Sequence, residues 1–119
     1  MQMTPLVDAG ALFAVDGELD AYTGPQLREE LGQALGEGVR WLFVDLSGVE
    51  YMDSVGLGIL VGMAKRASEV AGGVAVIGPR PNVRRVFDVS GTQVLLNVVD
   101  DLPEAENRLR PACQTGEEG

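Results

Sequence analysis

The run Trp41-Leu42-Phe43-Val44-Asp45-Leu46 constrains the fold more than any other stretch of this chain. An apolar run of strand length offers no polar face to water, so it predicts a strand covered on both sides. Beyond it, Tyr51-Met52-Asp53-Ser54-Val55-Gly56-Leu57-Gly58 leads into Leu57, Leu60, Val61, Ala64, Ala67 and Ala71, which fall at helical spacing. After Gly72-Gly73, Val74-Ala75-Val76-Ile77 repeats the doubly covered strand pattern. A buried strand, a helix and a second buried strand read as a parallel crossover.

The flanking segments extend this alternation. Leu6-Val7-Asp8 is a short strand candidate, and Leu12-Phe13-Ala14-Val15 begins another that runs into Gly17-Glu18-Leu19-Asp20. Thr23-Gly24-Pro25-Gln26 opens a helix, with Thr23 and Gln26 at capping-box spacing and Pro25 in the first turn. Its inward face is Leu27, Leu31, Ala34 and Leu35. Pro81 to Val89 is a short helix with Val83, Val86 and Phe87 inward, and Leu95, Leu96, Val98 and Val99 form a last strand candidate. Asp101-Leu102-Pro103-Glu104 caps a terminal helix that Pro111 ends. The expected fold is α/β: a mixed, mostly parallel sheet of four to five strands against about four helices. Residues 1–110 form one domain, and 111–119 are expected to be a flexible acidic tail. Partners of such sheets gather at the carboxyl ends of the strands. That rule brings Asp20, Tyr22 and Thr23 towards Asp53 and Ser54.

Composition removes most chemistry. Histidine is absent, which eliminates a Ser-His-Asp triad and imidazole metal sites. The single cysteine, Cys113, rules out an intramolecular disulfide and reads as an idle tail thiol. No metal or cofactor is expected. A formal net charge of -9 argues against nucleic acid as partner. The charge is uneven, with ten acids against two bases in residues 1–54 and eight against seven in 55–119. An acidic half suits a basic partner or simply solubility. Gly, Asp and Arg interrupt the apolar stretches short of a membrane span, and no leader pattern is present, so a cytoplasmic protein without membrane attachment is expected.

Ser54 stands at the junction of the buried strand and its helix, beside unpaired backbone N–H groups and the positive end of the helix dipole. Two readings of it are open and compatible: a helix N-cap, or a hydroxyl that accepts a phosphate where donors await it. Gly56 and Gly58 allow either close packing on the sheet or close approach of another backbone. The run lacks the Walker spacing and its Lys. Asp45 and Asp53 suit turn and cap duty better than a carboxylate pair or metal site, because no further ligands stand at usable spacing. Val55, Ile59 and Met63 lie off the main helical stripe, so either the helix is buried over a wide arc or this group is a partner surface; the nearby Lys65, Arg66 and Glu69 favour the surface. Arg80, Arg84 and Arg85 have no interleaved aromatic residues and read as a solvated helix face.

Taken together, these residues resemble the anti-sigma factor antagonists, bacterial single-domain members of the STAS family. The resemblance spans most of residues 12–110. It rests on Gly17-Glu18-Leu19-Asp20 with Thr23, on Val44-Asp45-Leu46-Ser47 leading into Met52-Asp53-Ser54-Val55-Gly56-Leu57-Gly58, and on Val86-Phe87-Asp88-Val89-Ser90-Gly91. It implies a partner switch. The unmodified antagonist binds an anti-sigma factor that is also a serine kinase and so frees the sigma factor; phosphorylation ends the interaction, and a serine/threonine phosphatase restores it. Carried onto this chain, the acceptor is Ser54. Asp20, Thr23 and Asp53 lie on the binding face, and Val55, Gly56, Gly58, Ile59 and Met63 belong to the helix that meets the kinase. Many relatives have Ser or Thr where this chain has Val55, which leaves Ser54 no neighbouring rival. Some carry a basic residue where this chain has Met63. Two other readings remain: an unphosphorylated STAS scaffold in a transport or signalling complex, and a small enzyme with Ser54 as nucleophile, which has no histidine to activate it.

Overall fold

The computed structural model describes residues 1–110. The proposed tail and Cys113 lie outside the described residues. Strands β1 (Gln2–Leu6), β2 (Gly10–Leu19), β3 (Trp41–Met52), β4 (Gly73–Ile77) and β5 (Val98–Val99) form one sheet in sequence order. Helices α1 (Gly24–Gly36), α2 (Ser54–Glu69), α3 (Pro81–Ser90) and α4 (Leu102–Leu109) complete the domain. The first pair of strands is antiparallel and the remaining pairs are parallel, giving the mixed, mostly parallel sheet expected from the alternation.

The strict order β1 to β5 follows from repeated crossovers of one hand, each placing its helix on the same face. Leu42, Val44 and Leu46 of β3 point to that face and meet Leu27 and Leu31 of α1, Leu60 and Ala64 of α2, and Val83 and Phe87 of α3 in one cluster. Phe43 points the other way, into a smaller cluster with Ala75, Ile77, Val99 and Ala105 of α4. β3 is therefore apolar on both faces because helices cover both.

Three sequence expectations change. Val7-Asp8 is not strand but the β1–β2 turn, with Asp8 and Ala9 at φ 57° and 64° and the Gly10 N–H donating to the Val7 carbonyl. The buried Arg110 holds this turn: its guanidinium donates to the carbonyls of Val7 and Asp8 at 2.8 and 2.9 Å, pairs with Glu106, and lies 5.3 Å from the centre of the Phe43 ring. The last strand is shorter than its apolar pattern implied. Asn97 adopts φ 49°, which breaks the extended chain, and its side-chain amide donates to the Val74 carbonyl. The Thr23/Gln26 capping box does not form; no side chain caps α1 at Thr23.

Candidate functional site

β2 and β3 run parallel with Leu19 opposite Met52, so their carboxyl ends stop side by side. The Asp53 N–H donates to the Leu19 carbonyl at 3.3 Å, tying the two following loops together. Asp20 and Thr23 thus stand at the same end of the sheet as Asp53 and Ser54, as the strand-end rule predicts.

The loop after β2 is organised by Asp20. Its carboxylate oxygen accepts the Tyr22 and Thr23 N–H groups, both at 3.0 Å. The Thr23 hydroxyl donates to the Glu18 carbonyl at 2.6 Å and accepts the Asp20 N–H at 3.1 Å. Thr23 therefore closes this turn, which is why it is unavailable as a helix cap. The Thr23 N–H is the main cause that holds the Asp20 carboxyl below its ordinary range; slight desolvation opposes it, and the Tyr22 N–H and the Thr23 hydroxyl add to the lowering. A carboxylate with a lowered folded value supports the folded loop above its unfolded value, about 3.9, and loses that support as the pH falls through the folded value. The Tyr22 and Thr23 amide signals in an NMR titration are expected to move with a midpoint below that of a free aspartate. A midpoint at or above the free value contradicts this account.

Ser54 is not the cap of α2. Asp53 adopts an extended backbone (φ -108°, ψ -173°), and its carboxylate accepts the N–H groups of Val55 and Gly56 at 3.0 and 3.1 Å. Such a cap contributes about 1 kcal/mol. Ser54 is the first helical residue and is exposed, and among the described residues its hydroxyl makes no hydrogen bond to the protein. The capping duty falls on its neighbour, and the serine hydroxyl is left for other chemistry. Gly56 is buried because its Cα faces the end of β2, where an added Cβ would stand 2.5 Å from the Leu19 carbonyl oxygen. Gly58 faces open space.

The STAS domain family model matches residues 3–105. The chain belongs to the STAS domain family. It is 38% identical over 84 residues to the anti-sigma-B factor antagonist of Staphylococcus aureus, a match covering 71% of this chain and 78% of that one. Its fold is similar to that of an anti-sigma factor antagonist from Mycobacterium paratuberculosis, with a TM-score of 0.80 at 28% identity over 92% of each chain. It is also similar to the unphosphorylated form of the anti-sigma factor antagonist SpoIIAA, with a TM-score of 0.78 at 28% identity over 90% of this chain and 93% of that one. The Bacillus SpoIIAA in its phosphorylated form matches at a TM-score of 0.70 and 26% identity, over 87% of this chain and 92% of that one.

Two expectations for the partner face of this STAS domain need correction. Ile59 and Met63 are only 8% and 2% exposed. They are covered where α2 meets α1: Gly24 of α1 has no Cβ, and the Ile59 side chain occupies the space a Cβ would take. The wide apolar arc of α2 is thus split between sheet and α1, and only Val55, at 43% exposure, keeps an apolar side chain in water from that group. Ile59 and Met63 form the floor of an open groove rimmed by Arg28, Val55, Gly58 and Arg66.

The arginines of α3 also differ from a uniformly solvated face. The Arg80 side chain donates to the Ser47 carbonyl at 3.0 Å, and Arg84 pairs with Asp100 at 2.8 Å. Arg85 instead lines a groove beside Ser54, with Leu57 from α2 and Val86 and Val89 from α3. The spacing of 85, 86 and 89 on one helical face carried that information, but nothing in the sequence said which element the face opposed. Asp45 does not serve at a turn: it lies within β3, at a register shift against β2, and its carboxylate accepts the Ser47 N–H at 2.9 Å. Among the described residues no helix is long and apolar enough to cross a membrane, and no group of His, Cys, Asp and Glu is arranged to hold a metal ion.

Proposed function

We propose that this STAS domain is an anti-sigma factor antagonist whose binding is switched by phosphorylation of Ser54. The unmodified protein binds a cytoplasmic anti-sigma factor that is also a serine kinase, and a sigma factor is released. Transfer of the ATP γ-phosphoryl group to the Ser54 oxygen ends that binding, and a serine/threonine phosphatase resets the switch. The protein is substrate and ligand in this cycle, not enzyme.

The observation that carries the reading is the free, exposed hydroxyl of Ser54 at the head of α2, beside a cap supplied by Asp53. The similarity to anti-sigma factor antagonists supports the antagonist role, and SpoIIAA is known in both unphosphorylated and phosphorylated forms. Asp20, Thr23, Asp53 and the exposed Val55 and Gly58 are the surface on which the partner sits, with Gly56 setting the height of the helix above the sheet. Intact-mass analysis with peptide mapping, on protein from growing and from stressed cells, tests the switch. One added phosphate on Ser54 in one of the two states is expected. A phosphate at another residue, or none in either state, rejects it.

A further inference from the structure

We propose that Arg85 is the receiver for a phosphate on Ser54 and pairs with it across the groove between α2 and α3. The inference rests on Ser54 as the acceptor. Ser54 and Arg85 line one groove of about 400 Å³, whose walls are otherwise chiefly Leu57, Val86 and Val89. Arg80 and Arg84 are engaged, with the Ser47 carbonyl and with Asp100. Arg85 has no hydrogen bond or ion pair among the described residues. Other arginines among the described residues also lack a carboxylate partner, but Arg85 is the one that lines the same groove as the serine.

The chemistry favours the pairing. A phosphate brings about −1.5 to −2 charges next to the Asp53 carboxylate, which repels it. The carboxylate already spends its accepting oxygen on two N–H groups and offers the phosphate nothing. A guanidinium matches phosphate oxygens in a two-pronged geometry that an ammonium lacks. Paired in this way, the phosphate lies over the apolar wall, where Val89 is 83% exposed. Modification therefore closes this face as well as charging it.

The test uses the full chain with phosphoserine installed at position 54 during translation, followed by ³¹P NMR through the second ionisation of the phosphate. A nearby cation favours the dianion, so the titration midpoint is expected to rise by about 0.5 pH unit in Arg85→Gln. Arg85→Lys retains part of the effect, because the charge stays and the fork is lost. Arg84→Ala removes the same charge from the next residue and is expected to shift the midpoint clearly less. An unchanged midpoint in Arg85→Gln, or an equal shift in Arg84→Ala, overturns the proposal. Arg85 is exposed, so circular dichroism is expected to match in all variants. Installed phosphoserine needs no kinase. The result is thus independent of whether Ser54 is modified in cells, which the mass analysis reads on its own.

Discussion

Ser54→Ala is expected to bind the anti-sigma partner constitutively, and Ser54→Asp to bind it at least about a hundredfold more weakly. A charge held in a protein interface without a partner costs about 2–5 kcal/mol, and about 2.7 kcal/mol is already a factor of a hundred in affinity. The aspartate stands next to Asp53, on a loop tied to the one that carries Asp20, so like charge opposes it as the partner removes water from this face. Phosphoserine, with roughly twice the charge, is expected to weaken binding further. The position of the cap makes these variants clean. Asp53, not Ser54, satisfies the first N–H groups of α2, so removing the Ser54 hydroxyl leaves the helix start intact. An aspartate in the first turn is, if anything, favourable to the helix dipole. Both variants are therefore expected to stay within about 0.5 kcal/mol of the parent in stability. Titration calorimetry with the purified partner, alongside denaturant unfolding, separates binding from folding. Equal affinity of the two variants rejects the switch and leaves an unphosphorylated scaffold as the better account.

The parts of this molecule that were readable from sequence are those whose physics is local or periodic. β3 and β4 declare themselves because Leu42 to Val44 and Val74 to Ile77 are unbroken apolar runs whose successive residues are buried on both faces. β1 does not, since Gln2 to Pro5 are exposed and pair along one edge only. The last strand is shorter than its pattern: Leu95 and Leu96 look like strand residues, while the left-handed Asn97 between them and Val98 breaks the run. At the site, spacing placed the right cluster at the right end of the sheet. It could not divide labour within Asp53-Ser54, because either residue can cap and only the backbone angles decide. The burial of Ile59 and Met63 is hidden in the sequence for a different reason. An apolar face that continues around a helix looks the same whether a partner or another helix covers it, and the clue was the missing side chain at Gly24 on α1.

Gly56 and Gly58 are two residues apart on α2, and alanine is expected to act in opposite directions at them. In a helix interior alanine is favoured over glycine by about 1 kcal/mol. At Gly58 nothing lies within 4 Å of the added methyl, so Gly58→Ala is expected to stabilise the domain by about that amount. At Gly56 the methyl would stand 2.5 Å from the Leu19 carbonyl oxygen and 2.9 Å from its Cγ. That carbonyl also accepts the Asp53 N–H, so the backbone cannot withdraw without loosening the tie between the two loops. Overpacking of this kind typically costs about 1–3 kcal/mol, and against a backbone atom the upper half of that range is expected to outweigh the propensity gain. A loss of about 1 kcal/mol lowers the melting temperature by roughly 4 °C in a domain of this size. Function is expected to separate from stability in this pair. Gly56→Ala lifts the head of α2 and moves Ser54 relative to Asp20, so partner binding and phosphorylation both fall. Gly58→Ala leaves the fold firmer but sets a methyl group on the exposed face beside Val55, and binding falls while phosphorylation by an unrelated serine kinase does not. If Gly56→Ala melts no lower than the parent, the close approach of α2 to β2 is not what positions the serine. If Gly58→Ala binds as well as the parent, the partner does not rest on that face of α2.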